Sequence, residues 1–135
     1  MDPSKPYVFD SWPVISFFEN QPSANKIERL LEESVSNKID KYLSVINLGE
    51  IWYTICRTYS DTKADLVVQK LRDMGFLFID ANWHVTQQAA AYKTLGGISY
   101  ADCFAAALAK TQDAVLITGD KEFKRVAHDV DILWV

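Results

Sequence analysis

Four acidic residues stand where an apolar segment ends or where a helix is expected to begin. They are Asp10, Glu50, Asp102 and Asp120. Carboxylate oxygens, without sulfur ligands, are the donor set that Mg²⁺ and Mn²⁺ prefer in proteins. Ions held in this way activate water for attack on a phosphodiester and stabilise the leaving oxyanion. If the fold brings the four carboxylates together, the chemistry they offer is metal-dependent hydrolysis.

Each acid taken singly also has an ordinary structural explanation. The first and the last of the four could cap the helices that follow them. Glu50 lies three residues after Asn47, and Asp102 lies three residues after Ser99. Both pairs have the spacing of a capping box, although Asp is a poorer reciprocal partner than Glu. One acid alone therefore indicates a helix cap or a solvated carboxylate better than an active site.

The apolar pattern predicts the elements that must position these acids. Short β-favouring runs predict strands at residues 7–9, 42–45, 76–79, 114–118 and 131–135. Helical periodicity predicts helices at residues 13–19, 27–35, 47–59, 60–75, 82–95 and 99–111, and a short one from Lys121. This alternation is typical of an α/β fold with a mostly parallel central sheet covered by helices. A chain of 135 residues indicates one domain, residues 1–135.

The predicted sheet changes the interpretation of the four acids. In a parallel α/β sheet, the carboxyl ends of the strands and the N-termini of the following helices lie at the same edge. All four acids are predicted to lie at that edge. Two carboxylates about 5 Å apart repel by about 3 kcal/mol at an effective dielectric constant of about 20. Four of them would not all stay ionised without a cation among them.

The segments around these acids resemble a known family. The runs YVFDS, SVINLGE, SYADCFAAALA and VLITGDKEF resemble PIN-domain ribonucleases, and more narrowly the VapC-type toxins of bacterial and archaeal toxin–antitoxin pairs. The resemblance covers nearly the whole chain in order. It implies a single PIN-like α/β domain that cleaves RNA endonucleolytically with one or two Mg²⁺ or Mn²⁺ ions. It also implies inhibition by a cognate antitoxin protein.

The resemblance gives the same four residues the catalytic and the metal-binding roles: Asp10, Glu50, Asp102 and Asp120. Thr118 matches a hydroxyl position that helps to shape the site, and Ser11 stands where the family commonly has a small hydroxyl residue. Trp12 and Pro13 depart from the family, which usually has small or aliphatic residues there. Whether the second and fourth acids reach a metal directly or through water stays open.

Composition limits the partners and the location of the protein. The formal net charge of −4 excludes a broad basic surface for nucleic acid. Lys121, Lys124 and Arg125 could contact RNA phosphates, or they could form a solvated helical face.

No apolar run approaches a membrane span, and the N-terminus lacks a secretory apolar region. The two cysteines lack the spacing of a zinc site. We therefore expect a cytoplasmic protein.

The residues after the first acid argue against two competing functions. A receiver domain needs a second acid beside it, and a haloacid-dehalogenase-type phosphatase needs one two residues later, but the chain has Ser11 and Trp12. A PIN-like module that binds RNA or protein without catalysis is the stronger alternative. The expected partners are an RNA, with tRNA one candidate, and an antitoxin. Aromatic pairs such as Trp52-Tyr53 also leave open a homodimer contact or a groove for an antitoxin helix.

Overall fold

A five-stranded sheet forms the centre of the structure, a computed structural model that describes residues 5–135. The strands are β1 (Tyr7–Phe9), β2 (Lys41–Ser44), β3 (Phe76–Ile79), β4 (Val115–Thr118) and β5 (Ile132–Trp134). They are ordered β3-β2-β1-β4-β5, and every neighbouring pair is parallel. The predicted α/β fold with a mostly parallel sheet is therefore confirmed.

Within residues 5–135, six α-helices connect and cover these strands. They are α1 (Ser11–Phe18), α2 (Ala24–Ser36), α3 (Val45–Thr58), α4 (Asp61–Asp73), α5 (Trp83–Lys93) and α6 (Tyr100–Thr111). A 3₁₀ turn, Lys121–Val126, follows β4. Within residues 5–135, no helix is long and apolar enough to cross a membrane.

Side-chain caps set the starts of most helices, and three starts come two or three residues earlier than predicted. α2 begins at Ala24 rather than at residue 27 and has no side-chain cap. α1 begins at Ser11 rather than at residue 13, because Asp10 caps it by accepting a hydrogen bond from the Ser11 N–H. α3 begins at Val45 rather than at residue 47, because Ser44 accepts from the Ile46 N–H. The expected capping box of Asn47 with Glu50 is therefore wrong. Both residues lie inside α3.

The two faces of the sheet are covered by different helices. Val8 points to the face covered by α5 and α6, whereas its neighbours Tyr7 and Phe9 pack on the opposite side. This alternation follows from the two-residue period of a strand. On the first face, the buried alanines Ala105–Ala107 allow α6 to approach the sheet closely. The order of the strands puts β1 beside β4, so the ends of both meet at the centre of the carboxyl edge.

Candidate active site

Asp10 follows β1 and is 1% exposed. One carboxylate oxygen, Oδ1, accepts a hydrogen bond from the Ser11 backbone N–H at 2.8 Å. The other, Oδ2, accepts from the Thr118 hydroxyl at 2.9 Å. The parallel pairing of β1 with β4, in which Phe9 lies opposite Ile117, brings that hydroxyl within reach. The carboxylate of Asp10 is therefore held at both oxygens.

Glu50 projects from α3 toward the same edge and is held by two donors. Its Oε1 accepts from the Ser11 hydroxyl at 3.1 Å and from the Asn47 Nδ2 at 3.0 Å. Asn47 is fully buried, and its Nδ2 also donates to the Ala101 carbonyl of α6 at 3.2 Å. Asn47 thus ties Glu50 in α3 to the first turn of α6. Its own Oδ1 has no hydrogen-bond partner among the described residues.

Asp102 lies in the first turn of α6 and is 6% exposed. Its backbone N–H donates to the Ser99 hydroxyl at 3.2 Å, so Ser99 caps this helix as expected. The Asp102 carboxylate accepts no hydrogen bond from any residue in the described part of the chain, 5–135. A buried carboxylate without a donor carries a large desolvation cost. This one is therefore open to an external ligand.

Asp120 follows β4 and caps the 3₁₀ turn. Its Oδ1 accepts from the Glu122 N–H at 2.9 Å, and its own N–H donates to the Thr118 hydroxyl at 3.1 Å. The hydroxyl of Thr118 therefore bridges the segments that carry Asp10 and Asp120. Asp120 therefore caps the 3₁₀ turn and also joins the acidic cluster.

The carboxylates form two groupings that share one member. Oxygens of Asp10, Glu50 and Asp102 lie within 4.8 Å of one another, and so do oxygens of Asp102, Asp120 and Glu122. The structure thus brings the four sequence-predicted acids together around Asp102, with the fourth on its far side. These oxygen-only groups fit a hard divalent cation such as Mg²⁺ or Mn²⁺.

Glu122 and Asn47 were missed by the sequence reasoning. Glu122 Oε1 also accepts from the Ser99 backbone N–H at 2.7 Å, which ties the 3₁₀ turn to the start of α6. In the sequence, the signal for Glu122 was a second acidic residue two positions after Asp120. For Asn47, the signal was a polar residue in the otherwise apolar start of α3.

Burial and mutual repulsion perturb the acid–base chemistry of this cluster. Burial raises the pKa of Asp10 to about 7, hydrogen bonds from Thr118 and Ser11 oppose that rise, and the Glu50 charge adds to it. Burial, followed by the charges of Asp10 and Asp120, raises the pKa of Asp102 to about 8. Among residues 5–135, no ion pair involves any member of the cluster. A bound cation would supply the missing positive charge.

The basic residues after Asp120 differ in their availability. Lys121 and Lys124 are exposed. Arg125 donates instead to the carbonyl oxygens of Gly96 at 3.0 Å and Leu95 at 3.3 Å, where it closes the loop after α5. Of the three basic side chains, the two lysines are therefore the ones open to a phosphate.

Comparison with known proteins gives the family of this chain. A profile described as the PIN domain matches residues 7–129. No curated protein matches the chain significantly. The fold is similar to that of VapBC2 from Rickettsia felis bound to a promoter DNA fragment, with a TM-score of 0.76, 18% identity, and 94% and 96% of the two chains covered.

Two further solved structures show the same likeness. VapBC-1 from nontypeable Haemophilus influenzae has a TM-score of 0.73 at 20% identity, with 95% of this chain and 96% of that chain covered. The sarcin–ricin loop cleaving toxin VapC20 of Mycobacterium tuberculosis has a TM-score of 0.70 at 15% identity, with 93% and 97% covered. At such identities the likeness shows the fold, whereas the profile match spans most of the sequence. The chain belongs to the PIN domain family.

Proposed function

We propose that this protein is a metal-dependent endoribonuclease and the toxin of a toxin–antitoxin pair. The observation that carries the proposal is the convergence of Asp10, Glu50, Asp102 and Asp120 at one sheet edge, with no cationic partner among the described residues. Membership of the PIN domain family supports a nuclease. The likeness to toxin–antitoxin structures supports the biological role.

The proposed site holds one or two ions of Mg²⁺ or Mn²⁺. Asp10, Glu50 and Asp102 would hold the first, and Asp102 with Asp120 and Glu122 would hold a second. When bound, such an ion supplies Lewis acidity that activates water and offsets charge on the leaving oxygen.

The protein's own contribution is to fix the carboxylates before any ligand arrives. Ser11 donates to both Asp10 and Glu50, and Thr118 holds the other oxygen of Asp10. Of the two carboxylate oxygens of Glu50, Oε1 alone accepts hydrogen bonds from residues 5–135. Oε2 is therefore left to bind a ligand or to orient the attacking water. Restrained donors of this kind limit the reorganisation needed during reaction.

The proposed partners follow from this chemistry. The substrate is an RNA, with tRNA one candidate, and exposed Lys121 and Lys124 would contact its phosphates. A cognate antitoxin would neutralise the enzyme in the cytoplasm, since several similar structures are toxin–antitoxin complexes. A homodimer remains part of the proposal, supported by the exposed aromatic side chains Trp52 and Tyr53 of α3.

Purified protein tests the nuclease directly. We expect the wild type to cut RNA in Mn²⁺ and to stop when the metal is chelated. Asp10→Asn and Asp120→Asn should each abolish cutting while leaving the circular dichroism spectrum unchanged. Asp73→Asn is the matched control, because Asp73 is an exposed acid at the end of α4, at the opposite edge of the sheet. Retained cleavage in both site variants would refute the assignment.

A non-catalytic PIN-like module is the second candidate function. The Asp102 carboxyl, buried without a hydrogen-bond donor from residues 5–135, argues against it, because a module without metal chemistry gains nothing from burying that group. A module of this kind should bind RNA or protein and show no cleavage in any divalent metal.

A further inference from the structure

A cavity of about 380 Å³ is lined by α1 and by the turn that leads into α2. We call it the Trp12 pocket. Its lining includes Trp12, Ile15, Ser16, Glu19, Gln21 and Ser23. The first four lie on one face of α1 and just beyond its end, and the others belong to the turn that leads into α2.

The indole of Trp12 places this pocket next to the proposed site. Trp12 is two residues after Asp10. A Cβ built on Gly119 would lie 2.8 Å from the indole Cη2 atom and closer still to Cζ3, so the ring rests directly on the Gly119 backbone. Gly119 connects Thr118 to Asp120. The ring therefore lies at the same sheet edge as the acids.

The indole offers a surface for stacking. Trp12 is 41% exposed, although it packs on the backbone of Gly119. Its ring N–H donates to no residue in the described range 5–135, unlike that of Trp52, which donates to Asp65 at 2.9 Å. An unpaired base of single-stranded RNA stacks on side chains of this kind with little dependence on sequence.

The other walls of the pocket combine the apolar side chains Ile15 and Pro22 with four polar ones, Ser16, Glu19, Gln21 and Ser23. The hydroxyls of Ser16 and Ser23 hydrogen-bond each other at 2.9 Å and so join α1 to the start of α2. Glu19 and Gln21 border the opening. A carboxylate there disfavours a phosphate and accepts hydrogen bonds from the N–H groups on the edge of a base.

We propose that the Trp12 pocket binds one unpaired base of the RNA substrate, next to the phosphate that is cut. Trp12 stacks on the base, and Glu19 accepts hydrogen bonds from its edge. The proposal rests on the proposed ribonuclease function. An RNA occupant is favoured over a protein segment because the Trp12 wall lies against Gly119, next to Asp120, close to where the substrate backbone must lie to react.

The test measures RNA affinity in an Asp10→Asn background with Mg²⁺, where the RNA stays uncut. The probe is a labelled single-stranded RNA of about 12 nucleotides. We expect Trp12→Ala and Trp12→Leu to weaken binding about 10-fold, and Trp12→Phe to weaken it by less than about 3-fold. Trp52→Ala, on an exposed indole of α3, is the matched control and should bind as the parent does.

The Leu and Phe variants separate stacking on a base from merely filling the space over Gly119. Both side chains cover Gly119, and only Phe keeps an aromatic face. If Trp12→Ala fails to fold, this pair decides. An abasic nucleotide scanned along the RNA should weaken binding at one position in the parent and have no effect there in Trp12→Leu.

The results that would overturn the base-binding pocket differ from those that would overturn the proposed ribonuclease function. If the wild type cuts RNA while Trp12→Leu and Trp12→Phe bind alike, the pocket does not stack a base and the nuclease stands. If Trp12→Leu keeps RNA affinity but loses binding to a neutralising antitoxin, the pocket docks protein. If the wild type neither binds nor cuts RNA, the nuclease proposal fails and the base pocket fails with it.

Discussion

At the scale of single residues, Asp102 carries the most information about the site. It is the one carboxylate common to both groupings, and it is buried without a hydrogen-bond donor from the described residues. By contrast, Asp10 and Glu50 are held by hydroxyl, amide and backbone donors. Two acids are thus fixed in place, and the third is left free of protein donors. This division suits a site completed by a ligand from outside the chain.

The raised pKa of Asp102 predicts how the metal-free protein responds to pH. Its carboxyl has a pKa of about 8 in the fold against an ordinary 3.8, so the folded state favours the protonated form. That stabilisation is fully present below about pH 4 and is lost as the pH rises through about 8. In EDTA, the free energy of unfolding of the wild type should therefore fall over this range.

Asp102→Asn should remove that loss. At pH 8 in EDTA, the variant should be more stable than the wild type by about 1–3 kcal/mol, because no charge is buried. Near pH 4 the two should differ little. Urea unfolding at both pH values checks this, and a variant less stable than the wild type at pH 8 would contradict the account.

Asn47 is predicted to position Glu50 rather than to touch the substrate. Asn47→Ala removes hydrogen bonds to Glu50 and to the Ala101 carbonyl inside the fold. We expect a loss of about 1–3 kcal/mol in unfolding free energy and weaker metal binding. Asn47→Gln should not restore either, because the site is fully buried. A decrease in stability with unchanged Mn²⁺ affinity would limit Asn47 to a structural role.

At the scale of elements, the site depends on where strands end and helices begin. The strand and helix pattern was predictable from the sequence, because apolar runs and caps such as Ser99 act locally. The start of α3 was not, because Val45 was included in the predicted strand 42–45, whereas Ser44 ends the strand and caps the helix. Glu122 was not predicted either, since it reaches Asp102 only through the 3₁₀ turn.

Gly119 is predicted to be required by the packing of α1 against the end of β4. A Cβ there would lie 2.8 Å from the Val135 carbonyl oxygen as well as against Trp12. Gly119→Ala should therefore lower the unfolding free energy by about 1–3 kcal/mol and reduce cleavage by displacing Asp120.

A second glycine provides the matched control for that substitution. A Cβ on Gly49 would meet nothing within 4 Å, and the residue lies inside α3. Gly49→Ala should stabilise the protein by about 0.5–1 kcal/mol. Thermal unfolding of the two variants checks both signs, and equal effects would contradict the packing argument.

At the scale of the whole molecule, the strand order explains why acids far apart in sequence meet. β1 lies between β2 and β4, so the acids that follow these three strands converge at the centre of one edge. The sequence could predict that edge from the alternation of strands and helices. It could not predict the pairing of Asp102 with Glu122, because the distance between α6 and the 3₁₀ turn depends on tertiary packing.

Metal binding should stabilise the whole fold. A ligand at 100 times its dissociation constant adds about 2.7 kcal/mol to the unfolding free energy. We expect Mn²⁺ to raise the melting temperature of the wild type by several degrees and to leave Asp102→Asn nearly unchanged. Asp73→Asn should respond as the wild type does. An equal shift in Asp102→Asn would place the metal elsewhere.

Sequencing RNA ends after brief induction of the chain in cells tests the central claim most directly. We expect new RNA ends at a small set of positions with the wild type, and none with Asp10→Asn. Expression of the wild type should also slow growth, and a small protein encoded beside it should relieve that effect. The same RNA ends with wild type and Asp10→Asn, or no new ends with either, would contradict the claim that this acidic cluster cuts RNA.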